Sequence, residues 1–181
     1  MILKLRATIP SSKVFVREYE VPANMSLFDF NKFINNDLGF SSDQIVVYRA
    51  IDEKGVMAAA YGLFDIGFGS MDKITFEQIA AQGFTVLHFC YDMHNNSYMV
   101  LTILGEEAGD IRVHYPRLTL EKGHNPDQFS PKYVDPEVYI PRAAAPVASD
   151  DIDDDDDLDD DDDDDDEIFD EDEDGIDSDK D

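Results

Sequence analysis

From Asp150 to Asp181 the chain carries 24 acidic residues and one base, Lys180, in 32 positions. Like charges at that density repel one another. The apolar residues among them, Ile152, Leu158, Ile168, Phe169 and Ile176, are too few to build a core. Residues 150–181 are therefore expected to be a disordered polyacidic tail.

That tail accounts for most of the charge. The 181 residues include 42 acids and 14 bases, a formal charge of −28; the tail holds −23 of it. Residues 1–149 keep 18 acids and 13 bases, a net of −5. This is an ordinary body of one domain's length, long enough to bury a core. Length and charge exclude a multidomain enzyme and a protein whose whole surface grips phosphates. Cys90 is the single cysteine, so no internal disulfide forms, which fits a reducing compartment. The first ten residues lack the apolar core of a signal peptide, and no apolar run approaches the length needed to cross a bilayer. A cytoplasmic protein without membrane contact is expected.

Within the body, Leu3, Leu5, Ala7 and Ile9 alternate with Lys4, Arg6 and Thr8, the period-two pattern of a half-buried strand. Pro10-Ser11-Ser12 is a turn, and Val14 to Val21 reads as the second strand of a hairpin. Ser26 then caps a helix, with Asp29 three residues on; Met25 is placed to staple to Phe30. Leu27, Phe30, Phe33, Ile34 and Leu38 make its apolar stripe, and Gly39 stops it. Ile45 to Tyr48 reads as a buried strand, Asp52 to Gly55 as a turn, and Val56 to Phe64 as a weaker strand. Gly67, Gly69 and Ser70 form a loop. Thr75 with Gln78 caps a short second helix, which ends at Gly83. Phe84 to Tyr91 and Ser97 to Leu104 are strong strands joined by a turn at 92–96. Ile111 to Leu120 is one more strand, which Pro116 confines to a sheet edge or breaks.

These elements predict an α+β fold: a curved, largely antiparallel sheet, a half-barrel, with two capped helices on one face. The expected organisation is a domain over 1–120, an irregular arm and linker over 121–149, and the tail over 150–181.

The order of strand, Val21-Pro22, capped helix (Leu27-Phe28-x-Phe30-x-x-Phe33-Ile34) and Leu38-Gly39-Phe40 before a strand resembles the Ri-plasmid ORF-3-like family. So does Ile74-Thr75-Phe76-Glu77 followed by the run from Phe84 to Asp92. The resemblance covers roughly residues 1–120 and points to a divergent branch with an acidic tail. It implies the half-barrel α+β domain. No activity is established for the family, and some members are labelled mobile-element passengers. Asn31 stands about where members carry a histidine, and Gly39-Phe40 where they carry Gly-Trp. Tyr91-Asp92 keeps the start of a family motif whose later Gly-Asp and Trp are replaced. If those positions served a site in the family, this chain has lost it.

Few residues suggest chemistry. His88 and Cys90 share a strand face and, with Asp92 or His114, suggest a metal site; their apolar flanks favour core packing instead. No nucleophile elbow or phosphate loop is present, so no catalytic residue, metal or cofactor is expected. Residues 170–181 match part of a calcium loop, a match that an acid-rich run produces at little cost.

Charge is the clearest functional signal. Residues 1–17 hold Lys4, Arg6, Lys13 and Arg17 and no acid, a candidate basic patch on the first hairpin. The tail is expected to engage a basic protein or a nucleic-acid-binding protein, as an adaptor or a nucleic-acid mimic, with Ile168 and Phe169 as a short apolar anchor. An intramolecular contact between tail and body is the other expectation. In that case the patch binds nucleic acid only when the tail is displaced.

Overall fold

Alternation of apolar and charged residues makes the first strand two-faced. In the computed structural model, which describes residues 1–130 and 132–135, β1 (Ile2–Thr8) buries Leu3, Leu5 and Ala7 and exposes Lys4 and Arg6. The chain turns at Ser12, whose N–H donates to Ile9 O, and returns as β2 (Val16–Pro22), antiparallel to β1. The described residues belong to one unit, Met1–Pro141. Expectations for the linker, the tail, Ile168, Phe169 and the calcium-like run fall outside the described residues.

Helix α1 (Leu27–Leu38) starts where Ser26 accepts the Asp29 N–H and ends at Gly39, in the left-handed region at φ +72°. It buries Leu27, Phe30, Ile34 and Leu38, as its spacing predicts, and also Asn31 and Asn35. Phe33 is only partly buried, edge-on to Tyr19. Helix α2 (Phe76–Ala81) has a complete capping box between Thr75 and Gln78. The segments leading into the two helices hydrogen-bond to each other: Leu27 N–H to Ile74 O, Phe76 N–H to Met25 O, and Glu77 N–H to Ala23 O. First-turn N–H groups that a helix cannot pair internally are satisfied in this way by the other helix's entry. Phe30 and Phe76 meet edge-to-face at 5.0 Å just inside the junction.

Strands β3 (Val47–Ile51), β4 (Met57–Gly62), β5 (Val86–Asp92), β6 (Ser97–Glu107) and β7 (Arg117–Lys122) complete a seven-stranded sheet in the order β4-β3-β5-β6-β1-β2-β7, with every pairing antiparallel. The sheet is open and uncurled, with β4 and β7 at its edges, and so corrects the curved half-barrel expected from the sequence: β4 and β7 do not pair to close it. Both helices join the same core cluster as Leu5, Tyr19, Tyr48, Phe89 and Met99, so they cover one face and leave the other without a helix.

Several boundaries differ from the sequence expectation. Ile45 is exposed, Val46 after it is buried, and β3 begins two residues after Ile45. The strand predicted over Ile111 to Leu120 is confined to β7. Pro116 lacks an N–H to donate, and the ladder starts just after it. The 1–120 boundary falls inside β7, and the arm beyond it packs on the body. Gln128 is buried and its side chain bonds Ser41, while Tyr133 meets Phe15 edge-on. Asp135 accepts from Ser12 and from the Lys13 N–H.

Candidate interaction surface

The four cations of the first hairpin do not share a surface. Register explains why. Lys4 and Arg6 stand opposite Glu20 and Glu18 and point to the helix-free face, whereas Arg17 stands opposite Ala7 and points into the core. Lys13 lies exposed in the connecting turn. The candidate patch is therefore corrected at Arg17, which is fully buried.

Burial of Arg17 is compensated almost donor by donor. Its guanidinium gives hydrogen bonds to Lys122 O at 2.6 Å, Gly123 O at 3.2 Å and Asn125 Oδ1 at 2.6 Å. Glu121 lies 3.1 Å from Nη2, and the Phe15 ring lies 4.7 Å from the guanidinium carbon. Only Nε lacks a hydrogen bond among the described residues; Asp37 is 4.0 Å away, too far for one. Asp37 accepts instead from Tyr19 Oη at 2.7 Å; burial, with that carboxylate beside it, pushes the phenol well above its usual range.

On the helix-free face each hairpin cation has an acid. Lys4 Nζ is 2.7 Å from Glu107, and the Glu107 carboxylate raises the lysine pKa. Arg6 reaches Glu18 through Nε and Nη2 at 2.9 and 2.7 Å. Arg117, opposite Glu20 in the register, binds it at 2.7 Å. Three cations and three carboxylates thus cancel across β6, β1, β2 and β7. The sequence hid this balance because the acids come from 18–20 and 107, outside the acid-free stretch 1–17.

Farther along the same face His88 stacks on Tyr98 at 4.5 Å, and partial burial, with the nearby Arg49 charge, holds its pKa down. Cys90 is buried, and desolvation pushes its thiol up. Asp92 is occupied in its own hairpin turn, accepting from the N–H groups of His94 and Asn95 and from the Asn95 side chain. His114 does not join them: among the described residues no three His, Cys, Asp or Glu side chains come together as a metal cluster.

The loop after β4 is a surface that sequence patterning did not reveal. Leu63, Phe64, Ile66 and Phe68 are exposed, Phe64 by 82%. Asp65 Oδ1 organises the loop by accepting the N–H groups of Gly67 and Gly69 at 2.8 and 2.9 Å, which holds its pKa low. Met57 on the β4 edge is exposed as well. A run of apolar residues beside a strand reads as more strand; only the turn geometry shows that they face solvent.

No protein-family model matches this chain, and no curated protein is similar to it. Among solved structures, a protein of unknown function from Methanosarcina mazei Go1 is similar at a TM-score of 0.60 and 17% identity, over 68% of this chain and 70% of that one. The likeness is one of fold. No helix among the described residues is long and apolar enough to cross a membrane.

Proposed function

We propose that the chain is a non-enzymatic interaction protein, in which an α+β body carries an acidic segment, residues 150–181, that engages basic proteins or nucleic-acid-binding proteins. The placement of charge carries this reading. The segment concentrates −23, while the hairpin cations Lys4 and Arg6 are already matched by Glu107 and Glu18. The complement of the polyanion then lies on another molecule. The exposed apolar side chains of loop 63–68 support a second contact point, since large apolar side chains on a surface mark interaction sites. The rival reading, a nucleic-acid factor that uses the 1–17 hairpin with the tail as autoinhibitor, has less support, because phosphates must compete with those carboxylates. We also read residues 1–120 as a divergent branch of the Ri-plasmid ORF-3-like family, and the protein as cytoplasmic. The caps at Ser26 and Thr75 and the stop at Gly39 support the family reading.

The test is capture of the full chain and of residues 1–149 on immobilised polylysine and on immobilised DNA, at low and high salt. Polylysine should hold the full chain only, and salt should release it. Equal capture of both forms would overturn the reading. Salt-sensitive DNA binding that appears on truncation would favour the rival.

A further inference from the structure

Strand β4 ends the sheet, yet most of it is not offered for pairing. Ala59, Ala60 and Tyr61 are buried, and the chain beyond the strand returns to it: Met71 N–H donates to Gly62 O at 2.9 Å, beside a bridge between Gly62 and Ser70. What this margin presents to solvent is apolar side chains. Val56 and Met57, at the start of β4, are 59% and 53% exposed; Leu63, Phe64, Ile66 and Phe68, beyond its end, are 40%, 82%, 52% and 51% exposed. Together the six leave roughly 600 Å² of surface open on each chain. Gly55 to Phe64 contains no charged residue. Asp65 turns one carboxylate oxygen to the N–H groups of Gly67 and Gly69, which fixes the loop before any partner arrives and lowers the entropy lost on contact. Next to these segments in the chain, Glu53, Lys54, Asp72 and Lys73 are exposed and carry both signs.

We propose that this margin of the sheet is the contact between two copies of the chain, related by a two-fold axis. Area is the first argument. Specific interfaces take about 600–1,000 Å² from each partner, and the six apolar side chains reach the lower figure before backbone or flanking charges are counted. Charge is the second. A basic protein meets no acidic cluster here and a nucleic acid no basic one, whereas a second copy brings an equally uncharged surface. Flanking residues of both signs fit the same partner, because a two-fold axis lets a lysine of one copy face an acid of the other. The apolar centre then supplies the affinity, with Phe64 and Phe68 as its aromatic anchors. Two chains of charge −28 repel each other, and screening, over about 8 Å at physiological salt, relieves that opposition. The dimer carries two acidic segments, so a basic partner is engaged at two points instead of one. The contact itself does not rest on the reading of the acidic segment.

The experiment is sedimentation equilibrium of the full chain, from about 1 to about 200 µM, in low and in high salt. The mass should rise to that of two chains, with a dissociation constant in the micromolar range. Association should be tighter in high salt, since salt screens the repulsion and leaves apolar contact intact. Phe64→Ser combined with Phe68→Ser should weaken association at least about tenfold. The urea midpoint of that variant should stay where it was, because both side chains are exposed in the single chain. Leu104→Ser, at an exposed position on β6, should change neither quantity. A single-chain mass at every concentration in high salt would overturn the proposal. So would a dimer that high salt dissolves, one that the Phe64 and Phe68 variant keeps at full affinity, or one that Leu104→Ser weakens equally. Capture of the full chain on polylysine is a separate measurement, so a failed dimer leaves the reading of the acidic segment standing.

Discussion

Arg17 donates from Nη2 to Oδ1 of Asn125 across 2.6 Å, joining the second strand to the arm that follows the last one. Asn125 in turn donates to Asp37 O at the end of α1. One buried cation therefore holds together β2, the C-terminal turn of α1 and the arm. Replacing Arg17 by methionine should lower stability by about 2–4 kcal/mol, since it strands Asn125 Oδ1 and the carbonyls of Lys122 and Gly123. Arg17→Lys should restore only part, because an ammonium cannot match the planar fork. Urea unfolding of the three proteins checks this, and a methionine variant as stable as the parent contradicts it.

Helix α1 ranks its own side chains. Phe30→Ala should cost about 3–5 kcal/mol, as for a fully buried phenylalanine, while Phe33→Ala should cost clearly less because Phe33 keeps solvent contact. Gly39→Val should cost about 1–2 kcal/mol through its positive φ alone, since a Cβ there meets nothing within 4 Å. Asn at the same position should cost less than Val. Melting curves of the four variants test the order.

The thiol of Cys90 is buried and its pKa is raised by desolvation. Both effects suppress the thiolate that reacts. An aromatic disulfide reagent at pH 7.5 should leave the folded protein essentially untouched and titrate one thiol in urea. Rapid reaction of the native protein contradicts the burial.

His88 supplies a pH dependence of definite sign. Its folded-state pKa lies below 6.5, through desolvation and the nearby Arg49 charge. The unfolded chain therefore binds the proton more readily, and stability contributed by the neutral ring falls as pH drops below about 6.5. Asp65 and Asp92 are shifted downward chiefly by hydrogen bonds within their own turns, and Asp135 by those from Ser12 and Lys13; all three contribute stability lost only below about 4, as pH falls through the ordinary carboxylate range. His88→Gln should remove the loss between pH 7 and 5 and leave the acid step in place. Denaturant midpoints across that range decide it.

Local signals were legible wherever a residue acts on its neighbours. Ser26, Gly39, Thr75 and Gln78 marked the helix ends because a cap is a bond between residues three or four apart. The alternation around Leu3, Leu5 and Ala7 marked the buried face of β1 for the same reason. What depends on strand register was not legible. Arg17 belongs by sequence to a basic stretch and by register to the core. Glu107 neutralises Lys4 from far along the chain. Asn31 and Asn35 lie outside the apolar stripe of α1, and only the structure shows that both are buried.

The sequence by itself determined that a long acidic segment stands apart from a nearly neutral body, that the body mixes two capped helices with hairpin strands, and where those helices begin and end. Composition and short-range hydrogen bonding suffice for each of these. Only the tertiary structure decided which charges meet. The order β4-β3-β5-β6-β1-β2-β7 sets Arg6 against Glu18 and Arg117 against Glu20, and sends Arg17 inward to the arm. A charge is neutralised by whatever lies within a few ångströms of it, and distance along the chain does not specify distance in space.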